Sequence, residues 1–228
     1  MLFRSSTAEI AALLQLGVRD RLHLTFRSGG TSLSGQGVSD GVLVDTRRHF
    51  RGFEVLDDGR AVRLEPGLTV NEVNARLAPY GRKIGPDPAS SVACTIGGVV
   101  ANNSSGMSCG TEFNTYSTLR SLTLVLASGT ILDTGKPDAD DELRHREPAL
   151  YEGLDRLRAR VTGNAHSVER LRHLFSMKNT MGYGLNSFLD HTRPIDVLAH
   201  LLVGSEGTLG FVADVVLETL PILPHAAT

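Results

Sequence analysis

The segment Arg27-Ser28-Gly29-Gly30-Thr31-Ser32-Leu33-Ser34-Gly35-Gln36 follows a short apolar run and offers successive backbone N–H groups with little side chain to obstruct an anion. Such a loop is a nest for a pyrophosphate; on spacing alone it reads equally as an ordinary tight turn. It has neither the Gly-Lys-Ser/Thr ending of a Walker loop nor the spaced glycines that open the helix of a dinucleotide fingerprint. A second small-residue region runs Ile84-Gly85-Pro86-Asp87-Pro88-Ala89-Ser90, then Thr95-Ile96-Gly97-Gly98, then Ala101-Asn102-Asn103-Ser104-Ser105-Gly106. Prolines stiffen its first part, the glycine pair lets a flat ring or a phosphate lie against backbone, and Asn and Ser bring donors and acceptors. Close helix packing would use the same residues. A third cluster, Gly204-Ser205-Glu206-Gly207-Thr208-Leu209-Gly210-Phe211-Val212, would make a third such place in one domain.

The elements that must position these clusters follow from capping signals and periodicity. Ser6 and Glu9 have capping-box spacing, and Ile10, Leu13, Leu14 and Leu16 supply a helix face from about Thr7. Leu22–Phe26 and Val42–Asp45 read as strands on either side of the first glycine cluster, a strand–glycine turn–strand unit. Phe53–Leu56 and Ala61–Leu64 alternate about the turn Asp57-Asp58-Gly59 and predict a hairpin. Thr69 and Glu72 repeat the capping-box spacing before a helix to about Tyr80, and 81–91 reads as an ordered loop. Thr95–Asn103 is helical in pattern. Leu119–Ala127 and Thr130–Leu132 pair across Ser128-Gly129. The charge-rich stretch 138–146 precedes amphipathic helices at 149–161 and 167–175, Pro194 opens a helix to about Leu202, and 209–220 alternates as a strand. Strands and helices mix without strict βαβ alternation, so the expected class is α+β and not a doubly wound sheet.

Of the 228 residues, 41% are hydrophobic, enough for a sizeable core in one domain with two lobes. A formal net charge of -2 provides no field to draw nucleic acid or anionic lipid, which favours a small-molecule role. No apolar run approaches the roughly 20 residues that span a bilayer, and no signal peptide is visible, so a cytoplasmic location is expected. Cys94 and Cys109 are the only cysteines, which excludes a disulfide framework or a four-cysteine cluster within this chain; both read as small buried residues. His145, His166, His173, His191, His200 and His225 are isolated and read as surface or packing residues, and no metal site is expected.

Taken in order, the GGTSLSGQ loop, EPGLTVNEVN, IGPDPAS, TIGGVVANNSSG, ASGTIL and VGSEGTLGFV closely resemble the FAD-binding (PCMH-type) domain of the vanillyl-alcohol-oxidase superfamily. The resemblance is to the flavin-dependent D-lactate and D-2-hydroxyglutarate dehydrogenases and the glycolate oxidase flavoprotein subunit, and it covers nearly the whole chain. KNTMGYGLN at 178–186 resembles family members whose flavin half is joined to an iron–sulfur-bearing half. The resemblance implies a two-lobed fold, with a small N-terminal lobe at 1–66 and a larger, mixed or antiparallel sheet lobe flanked by helices at 67–228.

By position, the resemblance implies that Ser28, Gly29, Gly30, Thr31, Ser32 and Gly35 hold the pyrophosphate of FAD. Pro86, Asp87, Thr95, Gly97 and Gly98 would line the cofactor, Gly106 would sit near the flavin ring, and Gly207, Gly210 and Val212 would complete the adenosine side. Superfamily members that attach FAD covalently often use a histidine beside the glycine pair; Thr31 stands there, so non-covalent FAD is implied. The implied chemistry is hydride transfer from the α carbon of a D-2-hydroxy acid to flavin N5 while a base takes the hydroxyl proton. Groups for the acid come mainly from a later substrate domain, so no catalytic base is assigned here, and a missing domain or subunit and an iron–sulfur, quinone or cytochrome acceptor are the expected partners.

Family members also complete a first strand ahead of the helix near Thr7. Met1-Leu2-Phe3 is the expected remnant of it, and its loss would leave an unpaired sheet edge. Two rival readings stand beside the dehydrogenase module. One is the same fold serving UDP-N-acetylenolpyruvoylglucosamine reduction or sugar-alcohol oxidation, which the joint presence of IGPDPAS and ANNSSG disfavours. The other is a truncated, non-catalytic FAD-binding remnant that needs a partner for activity.

Overall fold

The computed structural model describes residues 2–3, 6–180 and 182–223; Met1, Met181 and His225 lie outside them. A small sheet is built from β1 (Leu2–Phe3), β2 (Leu24–Arg27) and β3 (Val42–Asp45), with α1 (Thr7–Asp20) between the first two. Ser6 Oγ accepts from Glu9 N at 3.3 Å and caps α1, as the spacing predicted. All pairs in this sheet are parallel, in the order β1-β3-β2. The two expected strands stand on either side of the glycine cluster, which does not fold β2 back on β3 but carries the chain to the start of a parallel neighbour, as parallel pairing demands of its connections. Leu2–Phe3 does pair, so β3 has a neighbour on both sides.

The larger sheet contains β4 (Phe53–Leu56), β5 (Ala61–Leu64), β6 (Arg82–Ile84), β7 (Leu119–Val125), β8 (Ile131–Asp133) and β9 (Phe211–Pro221). Its order is β4-β5-β9-β7-β8 with β6 also on β9, and every pairing is antiparallel. The β4–β5 hairpin joins this sheet through β9, so the change of sheet falls between Asp45 and Phe53, ahead of Pro66. The helices are α2 (Val70–Leu77), α3 (Ile96–Asn102), α4 (Thr115–Thr118), α5 (Ala139–Arg146), α6 (Pro148–Thr162), α7 (Ala165–Phe175), α8 (Ser187–Asp190) and α9 (Pro194–Leu202). Thr69 and Glu72 form a complete capping box on α2. The strand β6, hidden in what reads as loop, and α5, a charge-rich stretch, are additions. In α5 the acids Asp140, Asp141 and Glu142 precede Arg144, His145 and Arg146, which suits the helix dipole, while Ala139 and Leu143 are buried.

Two cores result. The larger lies between the main sheet and its helices, with Val99 and Val100 of α3, Leu198 and Leu202 of α9, and Val215 and Leu217 of β9. The smaller joins Ile10 and Leu13 of α1, Val44 of β3 and Phe50 to Val125 and Phe211 of the main sheet. Phe26 of β2 packs on Phe211 of β9 with ring centroids 4.9 Å apart, so the two sheets meet where the glycine cluster begins.

Candidate functional site

The chain leaves β2 at Arg27 and enters a loop pressed onto the segment before α3. A Cβ on Gly29 would lie 2.5 Å from the Ala93 carbonyl oxygen, so only glycine permits that approach. Ser28 Oγ bonds to the Thr95 hydroxyl and accepts from Gly98 N at 3.0 Å. Gly97 N donates to Pro66 O at 3.0 Å, and a Cβ on Gly97 would meet Pro66 Cβ at 2.7 Å. Gly97 thus serves close packing, and the N–H groups of both glycines are already used. The N–H groups of Gly29 through Ser34 are different: none has an acceptor among the described residues.

The other end of α3 is closed by the third cluster. Its last turn leaves carbonyls without helical partners, and Gly204 N and Glu206 N donate to Val100 O and Ala101 O at 3.0 and 2.8 Å. Glu206 takes a left-handed conformation (φ 53°) to do so, and its Oε1 accepts from Asn102 Nδ2 at 2.5 Å. Gly210 lets β9 start beside β7, where a Cβ would lie 2.8 Å from Val125 O.

These segments enclose a cavity of about 500 Å³, within the usual range for small-molecule sites. Ser28, Gly29, Gly30, Thr31 and Ser32 line it, as do Thr95, Gly97 and Gly98, and Gly207, Gly210 and Val212. The three clusters named from sequence therefore converge on one space. Four of the named residues are not in its wall: Gly35, Pro86, Asp87 and Gly106. Asp87 instead organises the loop behind it, accepting from Ser108 N at 3.1 Å and Cys109 N at 3.2 Å. Burial opposes ionisation of Asp87, but these bonds outweigh it and leave its pKa below the usual carboxylate value.

Several lining residues were not named from sequence as cofactor contacts. Phe26 and Phe211 form an apolar floor, Cys94 contributes a buried thiol whose pKa burial raises, and Ser105 Oγ is buried with no partner among the described residues. Lys178, in the segment after α7, is the one cationic side chain among the residues lining the cavity, and its Nζ donates to Gly106 O at 2.8 Å. Arg27 sits just behind the loop: a Cβ on Gly30 would lie 2.8 Å from its Nη2, and its buried Nε has no partner among the described residues. Periodicity could not reveal Arg27, which ends a strand; Lys178, with Asn179 and Tyr183, stands out in sequence only because Gly182 and Gly184 lie beside it, which does not by itself favour contact with a substrate.

Comparison with known proteins shows the family of the chain. Residues 2–135, more than half of the chain, match the family model described as "FAD binding domain". The chain belongs to the FAD-binding domain family. It is 33% identical over 234 residues to D-2-hydroxyglutarate dehydrogenase of Pantoea ananatis, covering 97% of this chain and 22% of that protein. It is 31% identical over 149 residues to glycolate oxidase subunit GlcD of Escherichia coli, covering 64% of this chain and 30% of the relative. D-lactate dehydrogenase of Archaeoglobus fulgidus is 26% identical over 223 residues, 95% of this chain and 38% of its own length. The chain thus spans well under half the length of these relatives. Among solved structures, alkyldihydroxyacetonephosphate synthase superposes with a TM-score of 0.59 at 18% identity, covering 98% of this chain and 32% of that one. 6-Hydroxy-D-nicotine oxidase from Arthrobacter nicotinovorans gives 0.59 at 15%, covering 96% and 36%. The fold is of the α+β, PCMH-type FAD-binding kind.

The cavity fits FAD by its own chemistry. A diphosphate needs several donors and some positive charge, and the unpartnered N–H groups of Gly29–Ser34 with Arg27 behind Gly30 provide both. Smooth walls at Gly97 and Gly98, the apolar floor and the spare hydroxyl of Ser105 suit a large, flat, partly polar ligand. No helix among the described residues is long and apolar enough to cross a membrane.

Proposed function

We propose that this chain holds FAD for the oxidation of a D-2-hydroxy acid of the class named for its relatives, D-2-hydroxyglutarate, D-lactate or glycolate. The observation that carries the reading is the row of unpartnered N–H groups at Gly29–Ser34, residues that line the cavity of a FAD-binding domain. FAD, when bound, supplies the two-electron acceptor. The loop 28–32 and Arg27 take up the diphosphate charge, Gly97 and Gly98 admit a flat group against backbone, and Phe26, Phe211 and Val212 exclude water from below.

Binding the carboxylate and hydroxyl of the acid requires several cationic or imidazole groups, and Lys178 is the one such side chain among the described residues lining the cavity. We therefore place the acid-binding groups and the base in a further domain or subunit, with electrons leaving to a quinone, cytochrome or iron–sulfur relay. Leu33, in the cavity wall yet fully exposed at 104%, suits a face that such a domain covers. The cofactor is held non-covalently, since no histidine lines the cavity among the described residues, Thr31 stands beside the glycine pair, and burial keeps the Cys94 thiol protonated. Two free, buried cysteines accord with a reducing cytoplasm.

The test begins with the visible spectrum of the purified chain and acid precipitation. A flavin band that moves to the supernatant is the expected result; a folded protein that is colourless and cannot be reconstituted with FAD overturns the cofactor reading. Joined to a substrate domain of a relative, the holoprotein should bleach with one of D-2-hydroxyglutarate, D-lactate or glycolate. Bleaching with none of them overturns the substrate class.

A further inference from the structure

The segment after α7 runs without helix or strand at 178–180, and its residues alternate between the walls of two cavities. Lys178 and Thr180 line the large one, whereas Met177 and Asn179 line a second cavity of about 260 Å³ with Asn103, Tyr116 and Asn186 among its walls. Lys178 thus borders the large cavity, and its neighbours Met177 and Asn179 border the second. Its ammonium is then fixed by Gly106 O at 2.8 Å. An ammonium has three donors, and a single carbonyl leaves two of them for whatever the large cavity holds.

FAD carries its negative charge in two places, the diphosphate at all times and the N1–C2 carbonyl edge of the ring after two-electron reduction. The diphosphate is provided for elsewhere, by the loop N–H groups and Arg27. That loop packs on the first turn of α3 through Ser28 and Gly98, whereas Lys178 is bonded to a residue beyond the last turn. The two ends of this helix are separated by roughly 10 Å at 1.5 Å per residue.

We infer that Lys178 is the residue that stabilises the negative charge gained by the flavin ring on reduction, and so sets how strongly the site prefers reduced over oxidised FAD. The inference rests on the reading that this cavity takes FAD. A hydride from the donor carbon brings two electrons and one proton to a neutral ring, leaving one negative charge, while the donor hydroxyl loses its proton to a base and becomes a carbonyl. Lys178 neither gives nor takes a proton in this balance.

The test measures three quantities in the full chain with Lys178→Met and Lys178→Arg: affinity for oxidised FAD, affinity for ADP, and reduction potential against reference dyes. For Lys178→Met we expect both affinities within about threefold of the parent and a tenfold loss of preference for the reduced cofactor, read as a fall of about 30 mV for a two-electron couple. Lys178→Arg should keep most of the parent potential. An unchanged potential in Lys178→Met with FAD still bound overturns this inference alone. So does a parallel fall in FAD and ADP affinity, which would put Lys178 on the diphosphate. Failure of the parent chain to bind FAD overturns both the inference and the cofactor reading.

Discussion

Gly106 lies so close to Asp87 that a Cβ built on it would stand 1.9 Å from the Asp87 carbonyl oxygen and 2.3 Å from Oδ1. Neither residue is in the cavity wall, yet together they lock the loop after α3 against the loop before it. Gly106→Ala must displace backbone, a change that costs on the order of 1–3 kcal/mol. A lower melting temperature and at least a tenfold weaker FAD titration are expected, and a variant matching the parent in both would mean that this contact positions nothing.

Gly29 and Gly98 separate the needs of the fold from those of the cavity. A Cβ on Gly98 makes only ordinary contact with Ser28, at 3.5 Å, and replacing a glycine within a helix by alanine can stabilise by up to about 1 kcal/mol, less in the first turn where Gly98 lies. Gly98→Ala should therefore melt no lower than the parent while binding FAD less tightly, because the added methyl stands beside the Ser28 contact in the cavity wall. Gly29→Ala, which drives a methyl into the Ala93 carbonyl and Cys94 Cα, should lower both melting temperature and affinity. Parallel melts and flavin-fluorescence titrations distinguish the two patterns.

How much of this was legible depends on whether the deciding interaction is local. The Thr69–Glu72 capping box needs only a spacing of three, and it formed as read. The three glycine clusters were visible as composition, and their convergence followed from the family resemblance. The strand β6 was not visible, because its three residues sit amid Gly and Pro and become a strand only by pairing with Thr219–Pro221. Parallel pairing of β2 with β3 depends on tertiary docking against Phe211, which no local pattern encodes. Arg27 and Lys178 were obscured for the same reason: what each does is set by a partner distant in sequence or by backbone geometry around it.

His191 and His200, isolated in sequence, stack with ring centroids 3.8 Å apart, and Tyr116 meets His200 edge-on at 4.9 Å. Burial, and then the neighbouring His191, push His200 down to about 4, although Asp196 and Asp190 pull the other way; burial also lowers His191. The unfolded chain binds a proton at about 6.5 that the folded chain resists, so stability is fully present above that pH and falls as pH drops from 6.5 towards 4. At about 1.4 kcal/mol per pH unit the loss is on the order of 3 kcal/mol at most. Denaturant melts at pH 7 and 5 should reveal it, and His200→Phe should shrink the difference; an unaltered pH dependence in that variant would assign it to other groups.

Thr69 Oγ1 accepts from Glu72 N at 3.2 Å while Glu72 Oε2 accepts from Thr69 N at 2.8 Å. Thr69→Ala removes one half of this pair and should cost about 1 kcal/mol in chemical denaturation. The backbone bond from Thr69, with a further contribution from Arg51, holds the Glu72 pKa below its ordinary value of 4.5. Its contribution is present above that value and lost as pH falls through the depressed folded pKa. Acid titration of stability should accordingly be shallower in Glu72→Gln below pH 4.5; identical acid limbs would remove Glu72 from the account.

The strand β9 runs between β5 and β7, also holds β6, and brings Phe211 and Val212 to the cavity. It is made after every partner it joins. During synthesis the hairpin β4–β5 and the pair β7–β8 must wait as two separate halves, their facing edges open, until this one segment arrives to zip them together. The timing of cofactor loading follows from that order: a nascent chain has no floor for its flavin until its late strand is in place, so capture of FAD is a step of completion and not of nucleation.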